Sequence, residues 1–304
     1  MNAEFKVKFW GVRGGYPMPG PTTVGFGGNT TCVEVRVGGH LIILDAGSGI
    51  IGLGRELLRE RQAHGQPIVA TLLFTHTHND HTQGFPFFQP AFLPSSTLYM
   101  FGPRMLHDDL EAVLSRAMLP SVFPIELEEL PSMRVISDLG SNEAIVLDDP
   151  ADPPQVCNLA RDCRDASPSE VEIRAMHSHA HPKGGVLVYK IKFQGKHMVF
   201  ATDTEDYRGM QTILVRLAQG ADLLIHDAQY TWEEYTGGYT PKQGWGHSTW
   251  EMATEVGAAA GVKRLVLTHH DPLHDDAFLE KIEQQAQGAF PGCLLAREGM
   301  TIEL

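Results

Sequence analysis

His76-Thr77-His78-Asn79-Asp80-His81 places four potential metal ligands in six residues. The run follows Ala70-Thr71-Leu72-Leu73-Phe74, an apolar segment that reads as a buried strand. A rigid strand ending in a ligand-dense loop lets a sheet hold a metal ion at its edge. Neutral imidazoles and a carboxylate suit zinc and similar divalent ions. In such a loop His76 and His78 can converge on one ion while Asp80 and His81 turn toward a second. The competing reading is a solvated, His-rich turn, and the appended Asp-His argues against it.

The 304 residues, 42% of them hydrophobic, suffice for one large or two small domains with a sizeable core. No stretch resembles a transmembrane span. The start, MNAEFKVKFWGVRGG, has neither an apolar signal region nor a small-residue cleavage site, so a cytoplasmic protein without membrane contact is expected. Cys32, Cys157, Cys163 and Cys293 are scattered and form no CxxC pair. Buried or idle thiols are expected rather than a disulfide framework or a cysteine zinc site. The net charge of −13 argues against long nucleic acid as a partner, because phosphate binding draws on clustered Lys and Arg. Residues 103 to 170 alone hold fourteen acidic side chains against five arginines and no lysine, a net −9.

The first half alternates short apolar strands with Gly-rich turns, at Phe5–Trp10, Thr31–Val37 and Leu41–Leu44, and then predicts a helix over Ile50–Glu60. After the His cluster come a strand at Leu98–Phe101 and a helix carrying Leu106, Leu110, Val113, Leu114 and Ala117. Residues 148 to 170 are polar and Pro-rich and read as a surface loop. The second half repeats the style, with strands at Val171–Met176, Val186–Phe193, Met198–Thr202, Leu223–Ile225 and Arg264–Thr268. Helices are predicted near Gln211–Gln219, Thr249–Ala260 and Ala277–Gln287. Two β-rich halves, each ending in helices, predict a four-layer α/β sandwich with the sheets inside.

One cluster cannot complete two metal sites, so the missing ligands are sought where other apolar strands end. Three places fit: His177-Ser178-His179-Ala180-His181-Pro182, Asp203 in ATDTED, and His269 in LVLTHHDP. With HTHNDH and with Asp45 in LDAGSG, these positions resemble the metallo-β-lactamase superfamily and its HxHxDH motif. The resemblance covers nearly the whole chain. It implies the αβ/βα sandwich over residues 1–304 as one domain, with an acidic insert at about 103–170. It implies one ion held by His76, His78, His181 and Asp203 and another held by Asp80, His81, Asp203 and His269, with Asp203 bridging and Asp45 orienting ligands from behind. His181 is chosen over His177 and His179 because HP-x-GG precedes the next strand, as in related sequences. His269 is chosen over His270, and His270 and His274 are expected at the rim. Zn²⁺ is the expected metal, with Mn²⁺ or Fe acceptable to the same ligands.

ADLLIHDAQY from Ala221 and the downstream GWGHSTW resemble the tRNase Z and cyclic-nucleotide phosphodiesterase branch. There the acidic residue of an H-[ED]-A motif positions the His of a GHS/T motif. Carried over, Asp227 would orient His247, and His247 would protonate the leaving oxygen. The implied chemistry is hydrolysis of a phosphodiester by a hydroxide bridging two ions about 3.5–4 Å apart, with Asp80, Asp227 and His247 as the catalytic set. In many bacterial tRNases Z a basic arm lies between HP-x-GG and the bridging Asp. Here that interval, Lys183 to Thr202, reads as two paired strands. The expected substrate is therefore a small phosphodiester, a cyclic nucleotide above all. The alternatives are a lactonase or thioesterase, a tRNase Z-like nuclease, or a non-catalytic nucleotide-binding protein. Trp245 and Tyr239 are candidates for stacking on a base, and Arg13 and Asn29 for contacting phosphate. Relatives imply a homodimer.

Overall fold

The computed structural model describes residues 4–104, 108–164, 166–206, 211–237 and 240–304. The chain runs β1 (Phe5–Gly11), β2 (Cys32–Val37), β3 (His40–Leu44), α1 (Ile50–His64), β4 (Val69–Leu73), α2 (Asn79–Thr82), β5 (Thr97–Pro103), α3 (Leu110–Ala117), β6 (Met133–Leu139), β7 (Glu143–Leu147) and β8 (Gln155–Asn158). It continues through β9 (Val171–Ser178), β10 (Val186–Phe193), β11 (Lys196–Ala201), α4 (Gln211–Ala218), β12 (Leu223–Asp227), α5 (Trp232–Thr236), α6 (Trp250–Ala260), β13 (Leu265–Thr268), α7 (Asp276–Ala289), β14 (Cys293–Leu295) and β15 (Thr301–Glu303).

Two mixed sheets form, ordered β15-β1-β2-β3-β4-β5-β6 and β14-β13-β12-β11-β10-β9-β7-β8. Three apolar layers hold them together. The alternating inward side chains of both sheets, Val7, Phe9, Val33, Val35, Ile42, Leu44, Ile173, Tyr189, Ile191, Phe200 and Ile225 among them, meet in one core. Ile50, Leu53 and Leu57 of α1 and Leu110 and Leu114 of α3 cover the outer face of the first sheet. Leu214 of α4, Val256 of α6 and Leu279 and Ile282 of α7 cover the outer face of the second. This is the αβ/βα arrangement expected from the sequence.

The two halves are not closed units. β15, from the C-terminus, joins the first sheet beside β1, and β7 and β8 join the second sheet beside β9. The acidic stretch at 103–170 is thus woven into both sheets: β6 lengthens the first and β7–β8 the second. Within it, the segment read as a surface loop contains β8. Cys157 and Cys163 form a disulfide there, which corrects the expectation of idle thiols. Cys157 lies in the edge strand β8 and Cys163 follows a tight turn, so the pairing depends on how the chain doubles back, which spacing alone does not disclose. Cys32 and Cys293 are free and buried, as expected.

Parallel pairing matters most for function. β3, β4, β5 and β6 run parallel, as do β11, β12, β13 and β14. The carboxyl ends of β3 and β4 in one sheet and of β11, β12 and β13 in the other therefore open onto the same end of the sandwich. Carboxyl ends of parallel strands are where α/β sheets place their ligands. Two buried hydrogen bonds lock the sheets at that end: Leu187 N–H of β10 to Thr75 O at 2.8 Å, and Tyr189 Oη to Phe74 O at 2.7 Å.

Tyr189→Phe leaves the Phe74 carbonyl without its buried donor. We expect a loss of about 1–3 kcal/mol in stability, read from the urea unfolding midpoint at constant slope. An unchanged midpoint would mean that water or a shifted donor replaces the hydroxyl.

Candidate metal centre

Six strand ends supply the site, with His181 in the loop after β9. Asp45 follows β3, and His76 to His81 follow β4. Asp203 follows β11, Asp227 ends β12 and His269 follows β13. Three of these residues bend the chain sharply: Asp45 (φ 61°), Asp203 (φ 54°) and His269 (φ 63°) occupy the left-handed region although none is glycine. Such backbones are costly for L-residues and persist where the surrounding structure holds them.

Four donor atoms converge from both sheets. His81 Nε2 lies 3.3 Å from Asp80 Oδ2, 3.2 Å from Asp203 Oδ2 and 3.3 Å from His269 Nε2. His269 Nε2 lies 3.2 Å from Asp80 Oδ2 and 3.3 Å from Asp203 Oδ2. Ligands about 2.0–2.1 Å from a tetrahedral zinc stand roughly 3.3 Å apart, so this quartet has the edge lengths of such a site. A second group adjoins it. His181 Nε2 lies 3.1 Å from His78 Nδ1, and His76 Nε2 lies 3.7 Å from Asp203 Oδ1. His76 Nε2 is buried and has no hydrogen-bond partner, an orphaned lone pair that a cation would satisfy. Asp203 thus turns Oδ1 toward one group and Oδ2 toward the other.

The outer nitrogens of His76, His81, His181 and His269 are tied back. His81 Nδ1 donates to Asp45 Oδ2 at 2.8 Å, and Asp45 also accepts from Thr75 N–H at 2.8 Å. Thr75 Oγ1 donates to the same carboxylate and sits 3.1 Å from His76 Nδ1. His181 Nδ1 donates to Gly246 O at 3.1 Å, and His269 Nδ1 to Gln229 Oε1 at 3.1 Å. These contacts fix the tautomers that leave the inward nitrogens unprotonated, as metal-ligating histidines require. Gly15 N–H donates to Asp80 Oδ2 at 2.7 Å.

Electrostatics agree. Asp45, Asp80, Asp203 and Asp227 are all buried, and no Lys or Arg pairs with them among the described residues. Burial opposes protonation of His81 and His269, yet the surrounding carboxylates win. They hold His81 well above the ordinary histidine value and His269 up to about 9. Burial alone dominates at His76 and pushes it well below that value. Burial would raise Asp80 and Asp203, but the neighbouring histidines hold both well below the carboxylate range. The carboxylates around His81 and His269 thus call for positive charge at this point, and divalent cations would supply it.

Asp227 and His247 adjoin the quartet. His247 Nδ1 donates to Asp227 Oδ2 at 2.9 Å, and its ring stacks on His269 at 4.9 Å. Asp227 is completely buried and its oxygens accept four donors: Asp203 N–H, Gln229 N–H, Ser248 N–H and His247. The same carboxylate therefore braces the Asp203 backbone and aims His247. His247 sits just before α6, whose N-cap is Thr249, with Ser248 Oγ turned to Thr204 O.

Other expectations fare differently. His177 donates through Nε2 to Gly184 O and packs edge-on against His179, away from the two groups. His270 and His274 are not rim residues: both are buried, His270 against Ala296 O and Phe26 and His274 against Glu234. Arg13 is fully buried, with Nε donating to Gly27 O and Nη1 to Asp271 O and His274 O. It staples the β1 loop to the loop after His269 and cannot reach a phosphate. Asn29 spends its amide on Glu298 and its carbonyl on Ser48, so it too is a loop staple. Trp245 is 46% exposed, and Tyr239 lies outside the described residues. Sequence reasoning missed Thr75, Gln229 and Glu205. The last accepts Gly244 N–H, Gly246 N–H and Tyr235 Oη and so fixes the loop that carries His247. An acidic residue two places after Asp203 and a Gln two places after Asp227 were the available signals.

Two His/Asp donor groups, buried except at His78 and bridged by a strand-end Asp, on an αβ/βα sandwich, define a metal-dependent hydrolase of the metallo-β-lactamase fold. A family model described as "Beta-lactamase superfamily domain" matches residues 40–270, and the chain belongs to that family. A ribonuclease Z of Gemmatimonas aurantiaca is 39% identical over 111 residues, 36% of this chain and 32% of that one, so the alignment spans about a third of that relative. A ribonuclease Z of Methanothermobacter thermautotrophicus is 27% identical over 303 residues, 91% of each chain. The solved structure of human tRNase Z, short form, superposes with a TM-score of 0.63 at 20% identity, covering 98% of both chains. Relatives bearing the name ribonuclease Z over most of the chain overturn the expectation that long nucleic acid is excluded as a partner. A whole-chain charge sum does not describe the field at the mouth of one site. No helix of the described residues is long and apolar enough to cross a membrane.

Gly246 tests the first donor group. A methyl at this φ +92° position would lie 2.2 Å from His181 Nδ1. We expect Gly246→Ala, loaded with zinc and desalted, to lose roughly one ion per chain by elemental analysis while keeping the wild-type circular dichroism. Full zinc retention would show that His181 is dispensable.

Proposed function

We propose that the protein is a ribonuclease Z-like phosphodiesterase that cleaves RNA using two divalent ions, zinc before other metals. His76, His78, His181 and Asp203 would hold one ion, and Asp80, His81, Asp203 and His269 the other, with Asp203 between them. Such a pair, when bound, supplies an activated water and neutralises phosphate oxygens. The chain's own part lies in placement and proton transfer. Asp45 and Thr75 hold His81 and His76 in register, and Gln229 does the same for His269. Asp227 keeps the His247 Nδ1 proton, so the proton given to the leaving oxygen is the one on Nε2.

The Asp227–His247 pair carries the reading. A departing alkoxide needs a proton near neutral pH, and a carboxylate-backed imidazole beside the bridging Asp203 suits that need. The names of the relatives add RNA as the class of phosphodiester, with tRNA the first candidate.

A second reading, a cyclic nucleotide, is favoured by one observation. β10 and β11 are joined directly through Gln194 and Gly195, both at positive φ, so nothing protrudes between His181 and Asp203 on that side. The cytoplasm is the compartment we expect for either substrate. The Cys157–Cys163 bond weighs against that compartment, because thiols there are kept reduced.

Zinc-loaded protein should cleave tRNA transcripts, and chelation should abolish the cleavage. His247→Ala should lower kcat by about 10²- to 10⁴-fold with zinc content unchanged. Zinc-loaded protein inert on tRNA but active on 2′,3′- or 3′,5′-cyclic nucleotides would select the second reading. Inertness on every phosphodiester would defeat both.

A further inference from the structure

We propose that Lys242 and Trp245 form a nucleotide grip beside His247, holding the nucleotide on the leaving-group side of the scissile phosphate. The inference rests on the phosphodiesterase reading and adds the substrate contact which that reading lacks.

The loop between α5 and α6 carries His247 and both residues of the grip. A file of groups leads outward from the acid. Tyr230 meets His247 edge-on at 6.0 Å between ring centroids. Lys242 Nζ lies 5.8 Å from the Tyr230 ring centroid and 3.9 Å from that of Trp245. Tyr230 is buried, Lys242 half-buried and Trp245 46% exposed, so the file runs from the site to solvent. Among the described residues no carboxylate pairs with Lys242, in a chain of net charge −13. Its ammonium is instead held over two ring faces, which attract a cation without neutralising it. That leaves its charge for an anion.

The exposed indole is not loose. Glu205, itself 1% exposed, accepts Gly244 N–H at 2.7 Å and Gly246 N–H at 2.8 Å, on either side of Trp245. Lys242 N–H donates to Tyr235 O at 3.0 Å, and Trp245 N–H to Lys242 O at 3.1 Å. A buried carboxylate therefore holds a large apolar ring out in water, where packing has no use for it. Pre-organised, exposed aromatic rings are what a stacking ligand needs, because the ordering cost is met before binding. A nucleobase fits the open face of Trp245, and a phosphate oxygen fits Lys242. Because His247 gives its proton to the leaving oxygen, the nucleotide nearest this file is the one that departs.

The test uses zinc-loaded full-length protein carrying His247→Ala, so that a short fluorescein-labelled single-stranded oligoribonucleotide binds without turnover. Adding W245A should raise Kd by about 5- to 150-fold by anisotropy, whereas W245F should stay within about threefold. Adding K242A should lower the slope of log K against log salt by about 0.7. A melting temperature within a few degrees of the parent assigns these losses to lost contacts. W245A binding within about twofold of the parent, or an unchanged salt slope in K242A, overturns the grip. Wild-type turnover is scored separately. Trp245-dependent binding in a protein that never cleaves RNA upholds the grip and sinks the ribonuclease reading; cleavage with binding indifferent to Trp245 does the reverse.

Discussion

Four aspartates buried at strand ends without a Lys or Arg beside them are the constraint on which the rest of this structure depends. Carboxylates in a dry interior are costly unless their charge is met. Here it is met by histidines, in proton or in ion, and by backbone N–H groups turned inward. Asp227 shows how far the demand reaches. Its four donors come from the chain after β11, the chain after β12, and the loop before α6. Placing one carboxylate thus sets the backbone at Asp203, the start of α6 and the direction of His247 together.

Parallel pairing brings the carboxyl ends together, and the left-handed bends at Asp45, Asp203 and His269 aim side chains that would otherwise continue along their strands. Neighbouring glycines make room. A methyl on Gly14 would lie 2.4 Å from the His269 ring, so the loop after β1 can close over that histidine only as glycine. The fold and the site are one solution: the strands that bury the core also end where the donors must meet.

The residues legible in the sequence were those whose meaning is local. HTHNDH announces itself because four ligands at the end of an apolar strand have few other uses, and Asp203 and His269 repeat that context. The strands and most helices were legible from alternation and from 3.6-residue spacing. What the sequence concealed is whatever depends on a strand or loop distant in sequence. Thr75, Gln229 and Glu205 are ordinary polar residues until the fold sets them against Asp45, His269 and the loop before His247. Arg13 misled for the same reason: a cation in a Gly-rich loop resembles a phosphate contact, but the loop folds over it and gives its donors to carbonyls. Charge totals misled too, since −13 says nothing of where a single lysine stands.

The donors come from both layers. His76, His78, Asp80 and His81 belong to one sheet, and His181, Asp203 and His269 to the other. An ion held by these donors would be a rivet through the sandwich as well as a reagent, and the unfolded chain would offer it no equivalent seat. Mass action then ties mechanical integrity to supply: free ion at a hundredfold above its Kd would add about 2.7 kcal/mol to the folded state. A cell poor in that ion would therefore confront a looser sandwich as well as an idle one, with the Leu187–Thr75 and Tyr189–Phe74 bonds left to hold the sheets at that end.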